Sequence, residues 1–116
     1  PLGLGAAVIT PGFNLPNRFV IHTRGPKYFF DEDPPGNLAA AMRNTLLLAE
    51  DNKLPRIAVP AISMGVFSYP PEEAIPILVQ AAKEAGSKLR YVQEVRFVVL
   101  DEELLRLFSN EIQRTK

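Results

Sequence analysis

The chain has 116 residues, 47% of them hydrophobic, which suits a single domain with a real core. Thirteen basic and thirteen acidic residues cancel, so no overall field draws the protein to nucleic acid or to an anionic membrane. The absence of cysteine rules out disulfides and thiolate metal sites and fits a reducing, cytoplasmic setting, while the single His22 argues against a histidine metal centre.

In chain order, Gly5 to Thr10 (GAAVIT) is small and β-branched towards its end, which predicts a buried strand. Pro11-Gly12 and Asn14-Leu15-Pro16-Asn17 supply turn chemistry, and Arg18 to Thr23 (RFVIHT) predicts a second strand pairing with the first. Gly25-Pro26 ends it. Lys27 to Gly36, with Asp31, Glu32, Asp33 and two prolines, reads as an exposed loop.

Asn37 is the expected N-cap of a helix from Leu38 to about Glu50, whose Leu38, Met42, Leu46 and Ala49 recur at helical spacing. Arg56 to Val59 predicts a central strand. A turn-rich stretch, Pro60 to Pro71, leads into a helix that carries Glu72 and Glu73 near its start and ends at Gly86, with Pro76 either kinking it or marking where it becomes regular. Glu94 to Leu100 predicts a fourth strand. Asp101 caps a last helix, Glu102 to about Gln113, facing inward through Leu104, Leu105, Phe108 and Ile112. The order β-β-α-β-α-β-α implies a layered α/β domain with parallel strands in its second half. The chain starts without methionine and runs almost at once into a strand, which reads as the interior of a longer protein.

In such sheets, ligands sit where strands run out into loops that enter helices. Pro60 to Tyr69 meets that condition and places Ser63, Gly65 and Ser68 after a buried strand. A glycine there lets backbone N–H groups approach an anion, and the helix start that follows adds favourable partial charge. Leu100 to Leu104 is the second such segment. There is no GxxxxGK[ST] loop, no GxGxxG and no GxSxG. His22, Ser63 and Asp101 could in principle form a triad, but His22 within an apolar strand reads first as a hydrogen-bonded core histidine.

Gly5-Ala6-Ala7-Val8-Ile9-Thr10-Pro11-Gly12 with Leu15-Pro16, then Val20-Ile21-His22-Thr23-Arg24-Gly25-Pro26, then Ala58 to Pro70 (AVPAISMGVFSYP) resemble the macrodomain family in the right order. The family pattern of the last stretch is close to PAIS-x-GVF-G-YP, with Ser68 here in place of the usual glycine. The resemblance implies a three-layer α/β/α fold with a mixed sheet that binds ADP-ribose at the strand ends. It implies that Ser63, Met64, Gly65, Val66 and Phe67 wrap the diphosphate and distal ribose as a phosphate-binding loop. Leu100 would lie against adenine, with Asp101 and Leu104 as neighbours.

It also implies that the family's first strands, its Asn-Ala-Ala-Asn segment and its glycine-rich loop are missing, and most catalytic residues with them. One missing strand belongs in the middle of the sheet, so a complementing segment or an oligomer is expected. The implied partners are ADP-ribose or ADP-ribosylated protein, with no nucleic acid, membrane, metal or other cofactor. The implied activity of the intact form is hydrolysis of ADP-ribosyl or O-acetyl-ADP-ribose linkages. The alternatives are a non-catalytic reader of ADP-ribosylated protein, or a structural fragment with a decayed site.

Overall fold

The computed structural model describes residues 2–12 and 19–115. The turn expected at Asn14 to Asn17, and Arg18 as the start of the second strand, lie outside the described residues. The elements follow the expected order: β1 (Ala7–Pro11), β2 (Phe19–Thr23), α1 (Pro34–Asp51), β3 (Arg56–Val59), α2 (Pro71–Gly86), β4 (Glu94–Phe97) and α3 (Glu102–Arg114). β1 and β2 are antiparallel, with Val8 opposite His22 and Thr10 opposite Val20. β3 and β4 are parallel, with Arg56 opposite Glu94 and Val59 opposite Phe97. The fold is α/β with both kinds of strand pairing. Yet among the described residues β2 pairs with β1 and β3 with β4, so the strands form two separate ladders.

α1 buries one stripe, Leu38, Ala41, Met42, Thr45, Leu46 and Ala49, spaced as a helix needs to keep one face inward. Each fully buried Leu there contributes about 1.5–3 kcal/mol. The Thr45 hydroxyl avoids an orphaned polar group by donating to the Ala41 carbonyl at 2.7 Å. Against this stripe α2 sets Ala74, Ile75, Leu78 and Val79, and the core continues through Val59 and Tyr69 to Phe108 of α3. Phe97 stacks on Phe108 at 4.7 Å between centroids, fastening β4 to α3.

Several details differ from expectation. α1 starts at Pro34, not after Asn37. Asp33 adopts a left-handed cap (φ 41°) and accepts from the Gly36 N–H, and prolines fill the first turn, where no N–H donor is needed. The Asn37 amide instead donates to the Glu32 and Asp33 carbonyls. α2 starts at Pro71 with Glu72 and Glu73 in its first turn, as expected, and runs on through Pro76. β4 stops at Phe97 because its last rung, Val98 N–H to the Val59 carbonyl at 2.8 Å, exhausts β3 before Pro60 turns the chain away. Leu105 is exposed, whereas Leu104, Leu107 and Ile112 pack on the core. Asp101 caps α3 as expected, its carboxylate accepting from the Glu103 and Leu104 N–H groups at 2.7 and 3.2 Å.

Glu50, at the end of α1, organises the turn before β4. Its carboxylate accepts from the backbone N–H groups of Arg90 (2.6 Å), Tyr91 (2.9 Å) and Val92 (3.0 Å). Partial burial works to raise this carboxyl, but the three donors and the nearby Arg90 charge outweigh it and hold it below the ordinary 4.5. A lowered folded-state pKa gives stability that is present above the ordinary value and lost as pH falls through the folded one. Glu50→Gln is therefore expected to lower the melting temperature at pH 7. Its gap to the parent should close as the pH is taken below about 4.5, which thermal melts across pH would record.

Candidate functional site

Gly25, just past β2, lies against the loop that follows β3. A Cβ on Gly25 would stand 2.3 Å from Ser63 Oγ and 2.6 Å from Ile62 Cγ2. Both strands run towards this meeting point, and no pairing between β2 and β3 occurs among the described residues. Between them opens a cleft of about 900 Å³. Its walls are β2 and β3, and Ser63 and Phe67 line it from the loop that follows. This is the carboxyl end of the strands, where ligands of layered α/β proteins sit.

The loop is a series of tight turns. Ile62 N–H donates to the Pro60 carbonyl (2.9 Å), Ser68 N–H to Gly65 (3.0 Å) and Tyr69 N–H to Ser63 (2.9 Å). Tyr28 N–H reaches across to the Phe67 carbonyl at 3.0 Å, joining the loop after β2 to the loop after β3. Tyr69 anchors the far end: it is fully buried, and its ring lies 4.9 Å from that of Tyr28. The Tyr28 hydroxyl donates to the Glu73 carboxylate at 3.0 Å, which raises its pKa.

Two features point to a ligand. The backbone N–H groups of Gly65, Val66 and Phe67 find no acceptor among the described residues, leaving three consecutive donors free. Ser63 Oγ is buried without a hydrogen-bond partner, at a residue with φ 67°. Buried polar atoms are normally satisfied, so an orphan at the end of a cleft marks a place where another group belongs. The donors belong to the loop itself. α2 begins only at Pro71 and carries Glu72 and Glu73 in its first turn, so its positive end is already offset by carboxylates.

The residues expected to bind ligand divide into two groups. Ser63 and Phe67 line the cleft, Met64 packs on the core, and Gly65 and Val66 stand exposed at the loop tip. Leu100 is fully exposed beyond β4, Asp101 is engaged as the α3 cap, and Leu104 packs on the core. None of these three lines the cleft. His22 also lines it, but it is exposed rather than a core residue and pairs with Thr10 Oγ1 through Nε2 at 3.0 Å. With the Asp101 carboxylate committed to its helix, the triad has no third member. Gly25 was legible only as a strand terminator, because nothing local in the sequence marks its contact with Ser63.

Ser68 sits at φ 64°, where a side chain costs about 1–2 kcal/mol and glycine is at ease. Ser68→Gly is expected to raise stability by about 0.5–1 kcal/mol once the greater freedom of glycine in the unfolded chain is offset. A denaturant titration with unchanged slope would check this.

Comparison with known proteins places this geometry. The sequence profile of the Macro domain matches residues 1–78. The chain is 42% identical over 108 residues to a macro domain-containing protein of Ralstonia nicotianae, covering 92% of this chain and 63% of that protein. It is 42% identical over 106 residues to the O-acetyl-ADP-ribose deacetylase of Salmonella typhimurium, covering 90% and 59%. Among solved structures, a point mutant of the Oceanobacillus iheyensis macrodomain with ADPR aligns at TM-score 0.92 and 34% identity, over 98% of this chain and 61% of that one. The Trypanosoma brucei macrodomain in complex with ADP-ribose aligns at TM-score 0.84 and 27% identity, over 93% and 45%. The chain thus spans between 45% and 63% of the length of these relatives. On its sequence, and on an α/β fold shared across nearly its whole length, the chain belongs to the Macro domain family.

Proposed function

We propose that ADP-ribose binds at the mouth of the cleft, beyond the carboxyl ends of β2 and β3, with the loop from Ser63 to Phe67 cradling its diphosphate. The observation that carries this reading is the run of three backbone donors without an acceptor among the described residues, Gly65 to Phe67, in the loop whose Ser63 and Phe67 line the cleft. Such a run recognises anionic oxygens without any basic side chain, consistent with a chain of zero net charge. The relatives solved with ADPR or ADP-ribose support the ligand, at 34% and 27% identity. Phe67, on the wall, would pack against the distal sugar. Leu100, Asp101 and Leu104 would serve the adenine end once the cleft is complete.

The cleft becomes a full site when an extended segment fills the space between β2 and β3 and satisfies Ser63 Oγ. We take residues 1–116 to be the later part of such a domain. The deacetylase relatives support hydrolysis of O-acetyl-ADP-ribose as the activity of the whole protein, with catalytic groups supplied by the completing part.

Gly65 tests the cradle. A Cβ there meets nothing within 4 Å, so Gly65→Val should leave stability within about 0.5 kcal/mol of the parent. It should weaken ADP-ribose binding about tenfold, or about 1.4 kcal/mol, by covering the donors. An unchanged affinity would remove the loop from the site. Turnover of O-acetyl-ADP-ribose by the full-length protein separates hydrolase from reader, because a reader releases no acetate.

A further inference from the structure

Phe67 lines both the cleft and a surface hollow of about 600 Å³, the latter together with Phe29, Phe30 and Val66. Lys27, Asp31 and Ser68 complete its lining. A ligand whose distal end passes Phe67 therefore leaves the cleft directly into this hollow.

The hollow is unusually apolar for a surface. Phe29 is 73% exposed, Phe30 87% and Val66 94%. Single exposed hydrophobics are ordinary, but three large ones around one hollow mark a contact surface. They are also held in place. Phe30 and Asp31 N–H both donate to the Lys27 carbonyl, Asp31 Oδ2 accepts from Lys27 N–H at 2.8 Å, and Phe29 meets Tyr28 edge-on at 5.0 Å. A fixed turn loses little freedom on binding, so its apolar area converts to affinity efficiently.

The charge beside the hollow is one-sided. Asp31, Glu32 and Asp33 follow the two phenylalanines, and none forms an ion pair among the described residues. The one cation, Lys27, is held 5.6 Å over the Phe67 ring. Carboxylates beside exposed aromatic faces suit a cationic partner, since guanidinium and ammonium groups pair with the first and stack on the second.

We propose that this hollow seats the protein part of an ADP-ribosylated target: a basic segment with an apolar side chain next to its modified residue. The proposal rests on ADP-ribose occupying the cleft. It adds a second subsite that selects which modified proteins bind.

The experiment has three arms, each run on the full-length protein as parent and on its double variant Phe29→Ser/Phe30→Ser. Both side chains are exposed, so the variant should melt as the parent does. First, an unmodified hexapeptide with one leucine among arginines is titrated while backbone NMR signals are followed. Shifts confined to residues 27–33 and 66–67 are expected, about tenfold weaker with a glutamate-flanked peptide or with the variant. Second, free ADP-ribose should bind parent and variant equally. Third, the ADP-ribosylated basic peptide should bind the parent about tenfold tighter than free ADP-ribose and lose that advantage in the variant.

Equal affinity for the conjugate and free ADP-ribose, a preference for the acidic peptide, or no shift at residues 27–33 would overturn the proposal. If the peptide shifts those residues while ADP-ribose fails to bind, the surface stands and the cleft reading falls.

Discussion

Gly25→Ala is expected to lower the melting temperature by about 8 °C, corresponding to roughly 2 kcal/mol for a domain of this size. The added methyl would enter a space already filled by Ser63 Oγ at 2.3 Å and Ile62 Cγ2 at 2.6 Å. Side chains in real proteins do not approach so closely, so the loop must move off β2 or its neighbours must leave their rotamers. Either response opens the point where the two ladders meet. ADP-ribose affinity should fall along with stability, because Ser63 and Phe67 ride on that loop.

The double variant Gly25→Ala/Ser63→Gly removes the nearer clash and places glycine where φ is 67°. It should recover about half of the lost stability, the Ile62 contact accounting for the rest. Equal stability of Gly25→Ala and the parent would mean that the carboxyl ends of β2 and β3 are not held together as described.

The second large effect concerns the open middle of the sheet. Among the described residues β2 pairs with β1 and β3 with β4, and both strands end at the contact between Gly25 and Ser63. A strand laid between them would gain hydrogen bonds on both edges, each worth about 0.5–1.5 kcal/mol net. It would also cover Ile21 and Ile57, which line the cleft. A form extended upstream to the relatives' length is expected to melt at least 10 °C higher than residues 1–116, a shift that needs only two or three kcal/mol. It should also bind far less of a hydrophobic dye. Coincident melting of the two forms would mean that the cleft needs no strand.

The alternation of strands and helices was legible from residue patterning, because α1 and α3 carry clear helical stripes and β3 is a short apolar run bounded by prolines. What failed to show were features set by contacts distant in sequence. β4 stops where β3 stops, and nothing within Glu94 to Leu100 records that. α1 starts at Pro34 because Asp33 takes a left-handed cap, a conformation that sequence rules assign first to glycine or asparagine.

The family motif singled out the loop from Ser63 to Phe67 as the proposed cradle, and the φ of 64° at Ser68 gives the physical reason why glycine is usual at that place. The exposed pair Phe29 and Phe30 was hidden inside a stretch read simply as loop. Two phenylalanines in a row ordinarily signal burial, and only the fold turns them outward.

The central claim is that the loop from Ser63 to Phe67 cradles ADP-ribose in a cleft completed by a further strand. Calorimetric titration of ADP-ribose, with AMP as control, into residues 1–116 and into the upstream-extended form tests it most directly. The account predicts binding of ADP-ribose but not AMP by the extended form, at least about 100-fold weaker in residues 1–116, a difference of about 2.7 kcal/mol. Equal, tight binding by both forms would contradict the need for a completing strand, and no binding by either would contradict the ligand itself.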